Sequence, residues 1–120
     1  MILAEQTQQK LCYDIQPVIA VGETTSDAVD VHGTSILAFI TDVNLTGSSF
    51  TFLASDSFAG TYVPLKDMAT GDPLTSFTGT SAQYATQPAD FASVQYLKIV
   101  MNTNQLTTPT TITLVTRTLA

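Results

Sequence analysis

The sequence predicts an all-β fold: a single β-sandwich or jelly-roll-like domain of about seven or eight antiparallel strands, with an N-terminal arm. Three observations predict it. From Tyr13 onward apolar residues recur with period two, and helical spacing is nearly absent. Clusters of Gly, Pro, Asn, Asp and Ser interrupt the chain at intervals of about ten residues. Twenty-one threonines and nine serines make up a quarter of the 120 residues. Their hydroxyls suit a half-buried pleated surface, where nearby backbone or water satisfies them.

The elements follow in chain order. Residues 1–12, MILAEQTQQKLC, read as an arm, either extended or a short helix, and residues 13–120 as the sandwich. YDIQPVIAV places Ile15, Pro17, Ile19 and Val21 on one side, and GETT turns the chain. DAVDV alternates Val29 and Val31 against Asp30 and His32, and Gly33 ends it. TSILAFITDVNL is apolar on both faces, as in a sheet interior. SFTFLAS sets Phe50, Phe52 and Ala54 against Thr51, Leu53 and Ser55. SDSFAG connects it to GTYVPL, with Asp56 expected to accept backbone N–H groups and Gly60 to supply an unusual dihedral. An irregular stretch from Lys66 to Ser93 has room for one short strand near Leu74 to Thr78. SVQYLKIVMN alternates Leu97, Ile99 and Met101, and TTITLVTRTLA closes the chain as one strand.

Composition bounds the function. Three lysines and Arg117 face eight aspartates and two glutamates, a net charge of −6. So few cations cannot neutralise a run of phosphates, so neither nucleic acid nor anionic lipid is an expected partner. No apolar run approaches the ~20 residues of a membrane span. MILAEQTQQK lacks a basic flank before an apolar core, so no secretory signal is expected. Cys12 is the only cysteine and reads as a packed hydrophobe.

Motifs for chemistry are weak. The single histidine, His32, has no second His, HxxxH or CxxC beside it, so no zinc site is expected. No GxSxG is present. Asp56 and Asp67 flank the SDSFAG segment, and Asp27, Asp30, Asp42, Asp72 and Asp90 are scattered through loops. Paired carboxylates could serve glycoside hydrolysis, but such aspartates more commonly serve turns. D-S-F-A-G does not repeat acids at alternate positions as an EF-hand loop does. Tyr62, Tyr84 and Phe91 offer a possible aromatic platform for sugar, although the chain has no Trp. The expectation is a protein that works by contact, without catalytic residues, cofactor or metal.

VDVHGTSILAFITDVN, FTFLASDSFAGTYVPLKD, QYLKIVMN and the closing TTITLVTRTL together resemble a group of small virion proteins of tailed bacteriophages. The matching positions are Asp30, Gly33, Ser55, Asp56, Gly60, Tyr62, Tyr96, Leu97, Lys98 and Ile99, and the likeness runs over about residues 25 to 118. Lys98 stands where such chains frequently have arginine, and the first dozen residues are this chain's own. The resemblance implies a head decoration (cement) protein made in the host bacterial cytoplasm and carried on the capsid surface of the virion. It would bind the major capsid protein and self-associate, most naturally as a trimer about a lattice threefold axis. Ile2, Leu3, Gln6, Lys10 and Leu11 of the arm are the candidate partner contacts. A tail, neck or fibre-base component, or a receptor- or glycan-contacting sandwich, is the alternative.

Overall fold

The computed structural model describes residues 12–118 apart from positions 68, 78 and 87. The candidate arm contacts Ile2, Leu3, Gln6, Lys10 and Leu11 lie outside the described residues. Among the described residues there are eleven strands: β1 (Cys12–Ile15), β2 (Val18–Ile19), β3 (Val29–Asp30), β4 (Thr34–Ile40), β5 (Ser49–Ser55), β6 (Val63–Pro64), β7 (Thr75–Phe77), β8 (Gln83–Ala85), β9 (Tyr96–Met101), β10 (Thr110–Thr111) and β11 (Thr113–Thr118). A 3-10 turn covers Pro88–Phe91.

All pairings are antiparallel. One sheet runs β1-β11-β4-β8, and the other runs β3-β9-β5-β6 with β7 also on β5. A β10-β2 pair extends the first sheet. The two sheets face each other as a β-sandwich, as the sequence predicts.

The strand count exceeds seven or eight because single expected strands are interrupted. β1 and β2 form one ribbon with β11 and β10: Ile15 pairs with Leu114 and, past the gap, Val18 with Thr111. Between them Ile112 N–H donates to Pro17 C=O at 3.1 Å, but proline has no N–H to return the bond. The long stretch before β9 also holds β8 and the 3-10 turn, neither expected from its irregular pattern.

β4 carries a bulge. Its pairing with β11 shifts between Val115 and Thr116, leaving Leu37 as the extra residue, whose C=O accepts Thr86 N–H at 3.0 Å. The shift lets Ile36 and Phe39, three apart, both enter the core, so adjacent Ala38 and Phe39 are both buried. That accounts for apolar residues on both faces of the segment.

The core is built around phenylalanine. Phe39 lies 5.4 Å from both Phe50 and Phe52, and Phe91 lies 5.1 Å from Phe52. Ile19, Ile36, Ile112 and Leu114 from one sheet meet Leu97, Ile99 and Met101 from the other. Threonine accounts for much of the polar interior: Thr116 Oγ1 donates to Tyr13 C=O and Thr34 Oγ1 to Val31 C=O. Among the described residues no buried side-chain polar atom lacks a partner.

Candidate functional site

The strands run between two ends of the sandwich, and the loops at each end present distinct surfaces. The first end is formed by the turn after β3, the loop after β5 and the segment leading into β9. Val31 N–H donates to Gln95 C=O at 2.9 Å, which joins the first of these to the third. Ser55 pairs with Tyr96, which brings the second alongside.

The loop from Asp56 to Thr61 is closed by Ser55. Its Oγ accepts Ser57 N–H at 3.2 Å and donates to Ser57 C=O at 2.9 Å. The hydroxyl of Ser55 thus does what the sequence assigns to the Asp56 carboxylate. Gly60 also acts differently from expectation, since positive φ among the described glycines occurs at Gly22, Gly33, Gly47 and Gly71. It is close approach that Gly60 allows: a Cβ there would meet Ser57 Oγ at 2.2 Å. Further along, Tyr62 Oη donates to Phe58 C=O at 2.8 Å.

The loop supports an aromatic cluster on the outer face of the β5/β9 sheet. Phe58, 61% exposed, meets Tyr96 edge-on at 6.0 Å. Lys98 Nζ sits 4.3 Å from the Tyr62 ring centroid, a cation–π contact worth ~0.5–1 kcal/mol near solvent. Partial burial, and then the neighbouring Tyr96 phenol, push the Tyr62 hydroxyl above its ordinary range. The platform expected from Tyr62, Tyr84 and Phe91 does not assemble. Phe91 is buried among the core phenylalanines, and Tyr84 is half-buried on β8 opposite Phe39 of β4. Tyr96 and Lys98 could have been placed on one face from their alternation with Leu97 and Ile99. The pairing that brings Phe58 and Tyr62 to them has no sequence signal.

The opposite end is organised by buried Gln105. Its Nε2 donates to the C=O groups of Asn44 and of Thr108, and its Oε1 accepts Thr46 N–H at 3.0 Å. Its own N–H donates to Glu23 C=O at 3.0 Å, and Gly22 N–H donates to its C=O at 2.7 Å. Three loops are thereby tied into one surface, which exposes Val21, Val43 and Leu106; the last two are 75% and 68% exposed.

The aspartates are dispersed. Asp30, Asp42 and Asp67 each accept the N–H two residues on, from His32, Asn44 and Ala69, and Asp27 accepts Val18 N–H at 2.7 Å. The first three are the turn roles the sequence suggests, whereas Asp27 ties its loop back to β2 across nine residues. Asp42 also accepts Thr111 N–H and the Thr110 hydroxyl. Among the described residues no three His, Cys, Asp or Glu side chains gather as a metal site. No helix there is long and apolar enough to cross a membrane.

No protein-family model matches the sequence, and no curated protein matches it. Two solved structures align with the chain. The crystal structure of the SPBc2 prophage-derived protein YomS aligns with 88% of this chain and 94% of that one, at 12% identity and a TM-score of 0.51. A chain from Bacillus endospore appendages, described as disulfide-linked pili, aligns with 92% of this chain and 90% of its own, at 17% identity and a TM-score of 0.33. The first shares the overall sandwich fold; the second is too distant to support a fold inference.

Proposed function

We propose that this chain is a non-enzymatic structural protein of a tailed-phage virion, and within that class a capsid decoration protein. It binds the major capsid protein lattice and stabilises the head, and it self-associates, with a trimer on a lattice threefold axis as the favoured form. It needs no cofactor.

The observation that carries this reading is the fold likeness to a prophage-derived protein over nearly the whole of both chains. The surface supports it physically. A net charge of −6 on a hydroxyl-rich exterior resists indiscriminate clumping. Uncharged hydroxyls also cost less to desolvate against a partner than ions do. Exposed Val21, Val43 and Leu106 on loops already fixed by Gln105 give a contact surface that loses little entropy on docking. Repetition over a lattice makes even a modest interface effective.

The test is the copy number of this chain in purified virions, measured by quantitative mass spectrometry against the major capsid protein. A number comparable to that of the capsid protein is expected. A small multiple of three or six would move the protein to the tail or neck, and absence from particles would reject the virion reading.

A further inference from the structure

At the first end, on the side of the Asp56–Thr61 loop away from the aromatic cluster, lies an open depression of about 370 Å³. Its volume falls at the low end of the roughly 300–1,000 Å³ typical of small-ligand sites. Ala54, Leu65 and Val94 supply apolar walls continuous with the core, and Val63 adds an exposed apolar side chain. Ser55, Asp56, Thr61, Ser93 and Gln95 supply the polar lining. Ser55 Oγ is engaged within the loop, whereas among the described residues the side chains of Asp56, Thr61, Ser93 and Gln95 make no hydrogen bond to the protein and are left for solvent or a ligand.

We propose that this depression is a binding site for a neutral saccharide, with Asp56 and Gln95 holding sugar hydroxyls and Val63 packing on a C–H face of the ring.

Three features of the lining select this class. No lysine or arginine lines it, so phosphate, sulfate or an acidic sugar would meet the Asp56 carboxylate with no cation to offset it. Hydroxyl, amide and carboxylate groups beside aliphatic carbon match a ligand that alternates hydroxyls with C–H faces. An extended peptide is disfavoured, because Pro64 in β6 has no N–H to offer an added strand.

The loop is also preorganised. Ser55 closes it, Tyr62 Oη ties it at Phe58 C=O, and the close approach at Gly60 shortens it. The Asp56 carboxylate, which the turn does not use, is presented on a fixed frame, so little ordering is needed when a ligand arrives. This proposal concerns the isolated chain and does not depend on its place in a virion.

The experiment screens the purified full chain on an array of neutral and acidic glycans. Any hit is followed by titrating the free sugar into isotope-labelled protein by NMR. A neutral glycan should shift the amides of Ser55, Asp56, Thr61 and Ser93 to Gln95. Asp56→Ala and Gln95→Ala should each weaken it about tenfold, the effect of losing one or two well-made hydrogen bonds. Both side chains lack partners in the fold, so dispersed spectra from the variants would separate lost binding from lost folding. Array silence, binding of acidic glycans only, or shifts confined to Phe58, Tyr96 and Lys98 would each overturn the proposal. So would binding of an extended peptide at the same amides in place of any sugar.

Discussion

Two glycines show how local geometry sets what a side chain would cost. Gly47 has φ of +105°, and a Cβ there would lie 2.7 Å from Asn102 Oδ1 and 2.9 Å from Met101 Cε. Asn102 Oδ1 accepts Ser48 N–H at 3.0 Å, so it cannot retreat without opening the turn. Gly47→Ala combines a disfavoured dihedral with that displacement and should cost about 2–3 kcal/mol. At Gly60 the 2.2 Å obstacle is a serine hydroxyl, which rotates, and the backbone is not left-handed. Gly60→Ala should therefore cost about 1 kcal/mol or less. Urea midpoints at unchanged slope check both values, and equal losses would contradict the distinction. Tyr62 adds a pH dependence. Its folded pKa is raised above 10.0, so the fold favours the neutral phenol. That stability is fully present below the ordinary tyrosine range and is lost as pH rises through the raised folded value. Tyr62→Phe should flatten the alkaline decline of the urea midpoint, while at neutral pH it loses about 1 kcal/mol with the bond to Phe58 C=O. An alkaline profile unchanged from that of the parent chain would count against the assigned shift.

Among the elements, β4 and β5 answer differently to a deletion. In β4 the bulge at Leu37 already absorbs one residue, and Thr34, Ile36, Ala38, Phe39 and Thr41 are buried around it. Removing Leu37 restores plain alternation with Ile36 and Phe39 still inward. The cost is the Leu37 C=O to Thr86 N–H bond and part of a half-buried side chain. β5 pairs with β9 without a shift from Phe50–Met101 to Ser55–Tyr96. Removing Thr51 there turns either Phe50 or Phe52 out of the core, and losing one buried phenylalanine costs about 3–5 kcal/mol. The Leu37 deletion should fold with a lowered thermal midpoint, and the Thr51 deletion should show no cooperative transition. Circular dichroism melts decide it, and the reverse order would show that β4 is not bulged as described. The same contrast explains what was legible in the sequence. β5 and the β9 core were readable because Phe50/Phe52 and Leu97/Ile99 alternate strictly. β4 read as apolar on both faces because a bulge leaves no mark on composition. β1 and β2 read as one strand, and only the missing N–H of Pro17 divides them. At the candidate site, the loop of Asp56 and Gly60 was legible as a turn. The substitution of Ser55 for Asp56 was not, because either side chain can close such a turn.

At the level of the whole molecule, the two ends of the sandwich differ in chemistry. One carries aromatic rings, Lys98 and the depression beside Asp56. The other carries aliphatic side chains on loops that meet at Gln105. On the decoration reading, the aliphatic end docks on the capsid lattice, since its three loops need no reordering. Fully burying a valine or leucine contributes ~1.5–3 kcal/mol, so placing charge at both Val43 and Leu106 removes several kcal/mol per contact. Val43→Asp combined with Leu106→Asp should lower the amount of purified protein retained on particles lacking it by more than tenfold. Both side chains are exposed, so the thermal midpoint should stay within a few degrees of the parent. Phe58→Ser, at the other end, should leave retention unchanged. Gln105→Ala tests the role of the frame: it strands Thr46 N–H and the Asn44 and Thr108 carbonyls, each costing ~1–3 kcal/mol if it stays buried. It should lower both stability and retention. If instead Phe58→Ser abolishes retention while the double aspartate variant binds normally, the docking end has been assigned backwards. Normal binding by every variant would leave none of the described loops as the capsid contact.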